Sequence, residues 1–125
     1  MILDTNALSA WWEGNPAIRT AISEAPQVCI PVPALAEFRF GILQSKIKVA
    51  MTAWIEQALA TSKVLDVTDS TTRHYAEIRL QLKQRGTPIP MNDLWIAAIA
   101  LQHQLPLLSR DTHFDVVENI TRISW

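Results

Sequence analysis

Short apolar runs along this chain alternate with stretches whose apolar residues recur at helical spacing. Four runs are typical of buried strands, "MIL", "QVCIPV", "KVLDVT" and "LPLLS", and "ITRIS" is a candidate for a fifth. The stretches between them predict helices over residues 17–22 and 46–62 and in "ALAEFRFGIL", "STTRHYAEIRLQLKQRG" and "NDLWIAAIALQHQ". Pro16 suits a first helical turn, and Gly86 suits the end of a helix.

Strands that alternate with helices predict a parallel sheet between two helical layers. We therefore expect an α/β fold, a three-layer α/β/α sandwich with four to five parallel strands. Pro31 and Pro33 place the end of the second strand at a sheet edge or in an exit loop. The chain shows no internal repeat, low-complexity tract or linker, so residues 1–125 form one predicted domain.

Composition agrees with a globular protein, because 49% of the 125 residues are hydrophobic and 18% are charged. No apolar run approaches the length of a membrane span, and no basic segment leads into an apolar one at the N-terminus. We therefore expect a soluble, cytoplasmic protein. Cys29 is the sole cysteine, which excludes an internal disulfide and a thiolate metal cluster and indicates a small core residue.

Four acidic residues lie at the ends of predicted elements. Asp4 ends the first strand, Asp111 follows the fourth, Glu37 lies in the helix after the second strand, and Asp93 lies in the first turn of the last helix. Right-handed crossovers bring strand C-termini and helix N-termini to one sheet edge. The four carboxylates are therefore expected to converge. If the strand order reverses between the first and fourth strands, Asp4 and Asp111 flank the switch-point crevice.

The "DTN" triplet after the first strand has a simpler reading. Asp4 or Asn6 could only cap the following helix, because both side chains accept hydrogen bonds from free backbone N–H groups. The triplet alone does not decide between a cap and a ligand site. The positions of the other three acids favour the ligand site.

Converging carboxylates need a cation to stay ionised together. Oxygen ligands favour Mg²⁺ or Mn²⁺ over zinc, and such ions activate water and stabilise a departing oxygen in phosphodiester hydrolysis. The net charge of −1 does not exclude a phosphate-bearing substrate. Outside the four acids, eleven basic residues against eight acidic ones leave a charge of +3.

Four segments resemble the PIN-domain nucleases in order and spacing: "MILDTNALSAWW", "VPALAEFRFGIL", "GTPIPMNDLWIAAIAL" and "PLLSRDTHFDVV". Within that family the chain is most similar to the VapC-like toxins of toxin–antitoxin pairs. The resemblance implies a single PIN domain over residues 1–125, with a PIN-like, Rossmann-like sheet. It implies a catalytic, metal-binding cluster of Asp4, Glu37, Asp93 and Asp111. Asn6 and Ser109 match positions that support this cluster from behind.

The resemblance also implies an activity and partners. Members of the family are Mg²⁺- or Mn²⁺-dependent endoribonucleases, which form homodimers and are inhibited by a small VapB-like antitoxin. We therefore expect an RNA substrate, an antitoxin partner and a homodimer. A different class of function, a catalytically silent PIN-like module that binds RNA or a protein partner, would be signalled by a lost acid. None of the four acids is lost.

This chain departs from the family pattern at two places. Pro31 and Pro33 occupy a stretch where members often have Ser or Thr. His113 stands where members often have an acid just before a Phe. Here Asp115 directly follows that residue, Phe114, instead. His113 could assist proton transfer, but the family reaction needs only water activated by metal, so we expect a peripheral role. Asp115 either contacts the site or is a surface acid.

The sequence also gives expectations for the burial of Trp11, Trp12 and Glu13. Trp11 and Trp12 are adjacent and cannot face one direction, so either one is exposed at an interface or both are partly buried in the core. Glu13 is expected to be a solvated surface charge.

Overall fold

The computed structural model describes residues 1–125 and contains a sheet of five strands in which every neighbouring pair is parallel. The strands are β1 (Ile2–Leu3), β2 (Cys29–Pro31), β3 (Lys63–Leu65), β4 (Leu107–Leu108) and β5 (Arg122–Ile123). Their order is β3-β2-β1-β4-β5. This confirms the predicted α/β fold, and "ITRIS" does supply a fifth strand.

Six helices and a short 3₁₀ helix connect the strands. They are α1 (Thr5–Trp12), α2 (Pro16–Glu24), α3 (Val32–Gln44), α4 (Lys48–Ala60), α5 (Asp69–Arg85), α6 (Met91–His103) and the 3₁₀ helix Thr112–Val116. The local sequence explains where some of these helices begin or end. The Asn15 side chain accepts hydrogen bonds from two N–H groups of the first turn of α2, and Gly86 ends α5 with φ +67°. None of these helices is both long and apolar enough to cross a membrane.

Alternate residues of the central strands pack on opposite faces of the sheet. Ile2 and Leu107 lie in one buried cluster with residues of α5 and α6. Leu3 and Leu108 lie in the other cluster, with residues of α1, α2, α3 and α4. This period of two is that of a strand buried on both faces, so the two clusters are the two cores of an α/β/α sandwich.

The two prolines of "CIPVP" do not mark a sheet edge or a loop. β2 lies between β1 and β3, Pro31 is its last residue, and α3 begins at Val32. Pro33 lies in the first turn of α3, where a missing N–H leaves no helical hydrogen bond unmade. The chain therefore passes from strand to helix without a connecting loop, and the edge prediction was wrong.

The adjacent tryptophans belong to the core. Trp11 and Trp12 are both partly buried, and each meets Trp54 edge to face with ring centroids 5.2 and 5.7 Å apart. Cys29 is also buried, as its sequence context predicts. The exposed-tryptophan interface is therefore not present in this fold.

Candidate active site

Asp4 both caps a helix and occupies the switch point of the sheet. The strand order reverses between β1 and β4, and Asp4 directly follows β1. Its Oδ1 accepts a hydrogen bond from Thr5 N at 2.7 Å, at the start of α1. Its Oδ2 accepts one from Ser109 Oγ at 2.6 Å. Asp4 therefore caps α1 and also lies at the sheet edge where a ligand site is expected, because β1 runs straight into α1.

The four predicted acids line one open cavity of about 390 Å³ at this sheet edge: Asp4, Glu37, Asp93 and Asp111. Two further charged residues also line it. Glu13 is exposed, as expected of a surface charge, and also lines the cavity at the C-terminal end of α1, and Arg110 lies on the β4 side. The place of Glu13 at the cavity was not predicted, because the position of a side chain just beyond a helix end depends on where that helix stops.

Hydrogen bonds hold Glu37 and Asp111 in place at the cavity. Thr5 Oγ1 donates a hydrogen bond to Glu37 Oε2 at 2.7 Å, which links the first turn of α1 to α3. Asp111 N donates to Ser109 Oγ at 2.9 Å. Asp93 lies in the first turn of α6, as predicted. The cavity is thus built from side chains of three helices and two strand ends.

Ser109 lies behind the acids, and Asn6 lines the cavity next to it. Ser109 is fully buried, donates to Asp4, and accepts from Asp111 N and, at 3.4 Å, from Asn6 Nδ2. Asn6 Oδ1 accepts from Arg110 N at 3.3 Å. Ser109 therefore contacts Asp4 and Asp111 directly, Asn6 contacts Ser109 and Arg110, and their supporting role stays a prediction.

His113 contacts two of the acids, although its side chain is half-exposed and does not line the cavity. Its Nδ1 is 3.1 Å from Asp93 Oδ2 and 3.0 Å from Asp111 Oδ1. The 3₁₀ turn after Asp111 brings it there, because Asp111 Oδ1 accepts a hydrogen bond from His113 N at 2.9 Å. The signal in the sequence was an Asp two residues before the histidine, which favours such a turn.

Asp115 does not line the cavity. It forms two hydrogen bonds with Arg122, Oδ1 to Nε at 2.7 Å and Oδ2 to Nη2 at 2.9 Å. Arg122 Nη1 in turn donates to the carbonyl oxygen of Ser109 at 3.1 Å. Asp115 is therefore a surface acid, linked to Ser109 only through Arg122, a residue of β5 that sequence reasoning did not single out.

Burial and mutual repulsion make the site reluctant to hold ionised acids alone. Burial raises the pKa of Asp4 to about 6, against the hydrogen bonds from Ser109 and Thr5. Burial also raises the pKa of Asp93, and the hydrogen bond from His113 opposes that rise. The hydrogen bond with Asp93 raises the pKa of His113. A cation in the cavity would relieve this cost.

The donor set fits a divalent ion. Four carboxylates line the cavity, and donor atoms of Asp93, Asp111 and His113 all lie within 4.8 Å of one another. Carboxylate oxygens are the ligands that Mg²⁺ and Mn²⁺ prefer, and ligating carboxylates are usually held by hydrogen bonds such as those from Ser109 and Thr5.

Comparison with known proteins agrees with this geometry. The PIN domain model matches residues 1–120. The chain belongs to the PIN domain family. Ribonuclease VapC5 of Mycobacterium tuberculosis is 30% identical to this PIN domain, over 98% of this chain and 90% of the length of VapC5. Toxin FitB of Neisseria gonorrhoeae is 32% identical, over 90% of this chain and 88% of its own. These relatives confirm the resemblance to VapC-like toxins.

Solved structures show the same fold. VapBC2 from Rickettsia felis, bound to a promoter DNA fragment, superposes on this PIN domain with a TM-score of 0.91 and 25% identity, over 99% of this chain and 97% of that one. VapBC-1 from nontypeable Haemophilus influenzae superposes with a TM-score of 0.89 and 26% identity, over 99% and 96%. Both confirm the predicted fold.

Proposed function

We propose that this PIN domain is a divalent-metal-dependent endoribonuclease and the toxin of a toxin–antitoxin pair. The observation that supports it most directly is the convergence of Asp4, Glu37, Asp93 and Asp111 in one cavity at the switch point. Relatives named as ribonucleases and a toxin add to that support. A silent binding module would have no need to keep four mutually repelling acids together.

The four acids would hold the ion, and the surrounding residues would hold the acids. A bound Mg²⁺ or Mn²⁺ would offset the carboxylate charges, activate water and stabilise negative charge on a phosphodiester. Ser109 fixes the orientation of Asp4, and Thr5 fixes that of Glu37. The hydrogen bond from Ser109 favours the ionised form of Asp4.

Arg110 is the basic residue that lines the acidic cavity. Its guanidinium lies over the ring of Trp125, 5.2 Å from the ring centroid. A cation held against an aromatic face in this way loses little freedom on binding a phosphate. We assign Arg110 the role of binding a backbone phosphate of the RNA at the rim of the site.

Partners belong to the same proposal. The VapBC structures that superpose on this chain support a small antitoxin as its inhibitor. Exposed apolar side chains near the α3–α4 connection offer a surface for a protein partner or for a second copy in a homodimer: Phe40, Leu43, Ile47 and Val49. Because the proposed substrate is cellular RNA, we propose that the protein acts in the cytoplasm.

Induced expression in a bacterial host tests the proposal in cells. We expect the wild type to arrest growth and to create new RNA ends within minutes. Asp93→Asn should do neither, because it removes a carboxylate from the cavity. Glu77→Gln, the same kind of change on the exposed face of α5, is the matched control and should act as wild type.

Two outcomes would contradict the proposal. If Asp93→Asn arrests growth as wild type does, toxicity does not depend on the acidic site. If growth arrest occurs without new RNA ends, the chain acts through binding, which is the silent-module function. Co-expression of the small open reading frame beside the gene should restore growth if it encodes the antitoxin.

A further inference from the structure

We propose that His113 is a metal ligand, together with Asp93 and Asp111, and that its nitrogen shifts the preference of the site from Mg²⁺ toward Mn²⁺ and other first-row transition ions. The inference rests on the metal site proposed above and goes beyond it, because a site of four carboxylates offers oxygen ligands only. It makes His113 a residue that determines which ion this particular chain uses.

The distances from His113 Nδ1 to the two acids are those between neighbouring ligands of one ion. His113 Nδ1 lies 3.1 Å from Asp93 Oδ2 and 3.0 Å from Asp111 Oδ1. In octahedral coordination with bonds of about 2.1 Å, adjacent ligands lie about 3.0 Å apart. The imidazole nitrogen therefore has the spacing of a neighbouring ligand position with respect to both carboxylates.

His113 Nδ1 faces two carboxylate oxygens. A ring N–H points along one direction and makes one linear hydrogen bond, yet two carboxylate oxygens lie at nearly equal distances from Nδ1. The hydrogen bond from His113 N holds Asp111 Oδ1 beside the ring, and the Nδ1 proton bonds linearly to one of the two oxygens only. Once that proton is released, the nitrogen lone pair and the two carboxylates supply three neighbouring ligand atoms to one ion.

The backbone of His113 is held in place beside Asp111. His113 N donates to Asp111 Oδ1 at 2.9 Å, and the next side chain, Phe114, is 1% exposed and anchors the 3₁₀ helix in the core. The histidine is thus fixed between a bonded acid and a buried aromatic residue. A ligand held before the ion binds loses little entropy on binding.

The expected selectivity follows from ligand chemistry. Mg²⁺ binds oxygen and gives up its water reluctantly, whereas imidazole binds first-row transition ions with an affinity that rises along the series from Mn²⁺ to Cu²⁺. One nitrogen among carboxylates should therefore stabilise bound Mn²⁺ more than bound Mg²⁺. Replacing that nitrogen with an oxygen should reduce the difference.

Pulsed EPR of Mn²⁺ bound to the intact protein tests ligation directly, without any measurement of activity. Coordinated imidazole produces nitrogen modulation of the Mn²⁺ signal. We expect it in the wild type, and its loss in His113→Ala. His103→Ala is the matched control, since His103 is exposed at the end of α6, and it should retain the modulation.

The outcomes separate this inference from the proposed function. Mn²⁺ that binds without nitrogen modulation, or modulation that persists in His113→Ala, overturns the role of His113 and leaves the carboxylate site intact. If the folded wild type binds no Mn²⁺, both the metal site and this inference fail.

Calorimetric titration with each ion tests the selectivity, at about pH 8, above the ordinary imidazole pKa. We expect His113→Ala to weaken Mn²⁺ binding by about tenfold or more and Mg²⁺ binding much less. His113→Asp should bind Mg²⁺ at least as well as the wild type and discriminate less between the two ions. Equal weakening of both ions in His113→Ala would instead mean that the ring only positions Asp93, and would overturn the proposal.

Discussion

Asp4 combines two demands that oppose each other at the scale of a single residue. It is 3% exposed, which penalises its charge, yet metal binding requires that charge. The hydrogen bonds from Ser109 and Thr5 favour the ionised form but do not offset burial, so its pKa rises to about 6. Without a cation, the ionised Asp4 carboxylate therefore destabilises the folded protein. The free energy of unfolding should depend on pH for this reason.

We predict that metal-free wild type loses stability as pH rises from about 4 to about 6. The folded protein keeps a proton on Asp4 in this window, whereas the unfolded chain, with an ordinary pKa near 3.9, has lost it. The stabilisation is complete below the unfolded pKa and is lost through the folded one, by roughly 3 kcal/mol at most. Urea unfolding in EDTA at several pH values measures it.

Asp4→Asn is the control for that slope. The variant should show a smaller fall than wild type, with a remainder from Asp93, whose pKa burial also raises. It should be more stable than the wild type near neutral pH. Equal slopes in the two proteins would show that Asp4 is not the group that titrates.

Arg110 yields a second prediction at this scale. Arg110→Ala should raise KM for RNA by about tenfold and change kcat less, because a phosphate contact at the rim contributes to binding and to the transition state alike. The KM of Arg110→Ala should also depend less on salt concentration than the KM of the wild type. Arg73→Ala, on the exposed face of α5, is the matched control. An unchanged KM would remove Arg110 from the substrate site.

At the scale of elements, local signals place most helix ends, and the exceptions have physical reasons. Gly86 and the Asn15–Pro16 pair act as their residue types predict. α1 was not delimited from sequence, because its eight residues follow β1 without a loop. The prolines of "CIPVP" were misplaced for the same reason. Proline signals a strand end and a first helical turn equally, and only the observed direct passage from β2 to α3 separates the two.

Two glycines should respond to alanine in opposite directions. Gly86 has φ +67°, and a Cβ added there would meet no atom within 4 Å, so Gly86→Ala should cost about 1 kcal/mol from backbone strain alone. Gly41 lies within α3, also with open space around it, so Gly41→Ala should stabilise the protein by about 0.5–1 kcal/mol. Chemical denaturation of both variants measures the difference. Changes of the same sign would contradict this account.

For the whole molecule, the sheet order unites residues that are distant in sequence. Asp4 and Asp111 meet because β1 and β4 are neighbours at the reversal of strand order. The alternation of elements and the handedness of crossovers were enough to predict the fold and the convergence of four acids. They could not predict the approach of His113 or Glu13, because those positions depend on a 3₁₀ turn and a helix end that have no periodic signal.

Divalent ions should stabilise the folded molecule. At about a hundred times its Kd, an ion that binds only the folded state adds about 2.7 kcal/mol, which should raise Tm by several degrees. Asp93→Asn should lose most of this increase, and Glu77→Gln should keep it. A Tm that does not respond to Mg²⁺ or Mn²⁺ in the wild type would contradict a metal site formed on folding.

Cleavage of total cellular RNA by purified protein free of antitoxin tests whether the four acids form a nuclease site. We expect cleavage with Mg²⁺ or Mn²⁺, none with EDTA, and none by Asp4→Asn or Asp93→Asn, while Glu77→Gln cuts as wild type does. The fragment ends would then identify the target. Folded wild type that cuts no RNA, or acid-site variants that cut equally well, would contradict the claim.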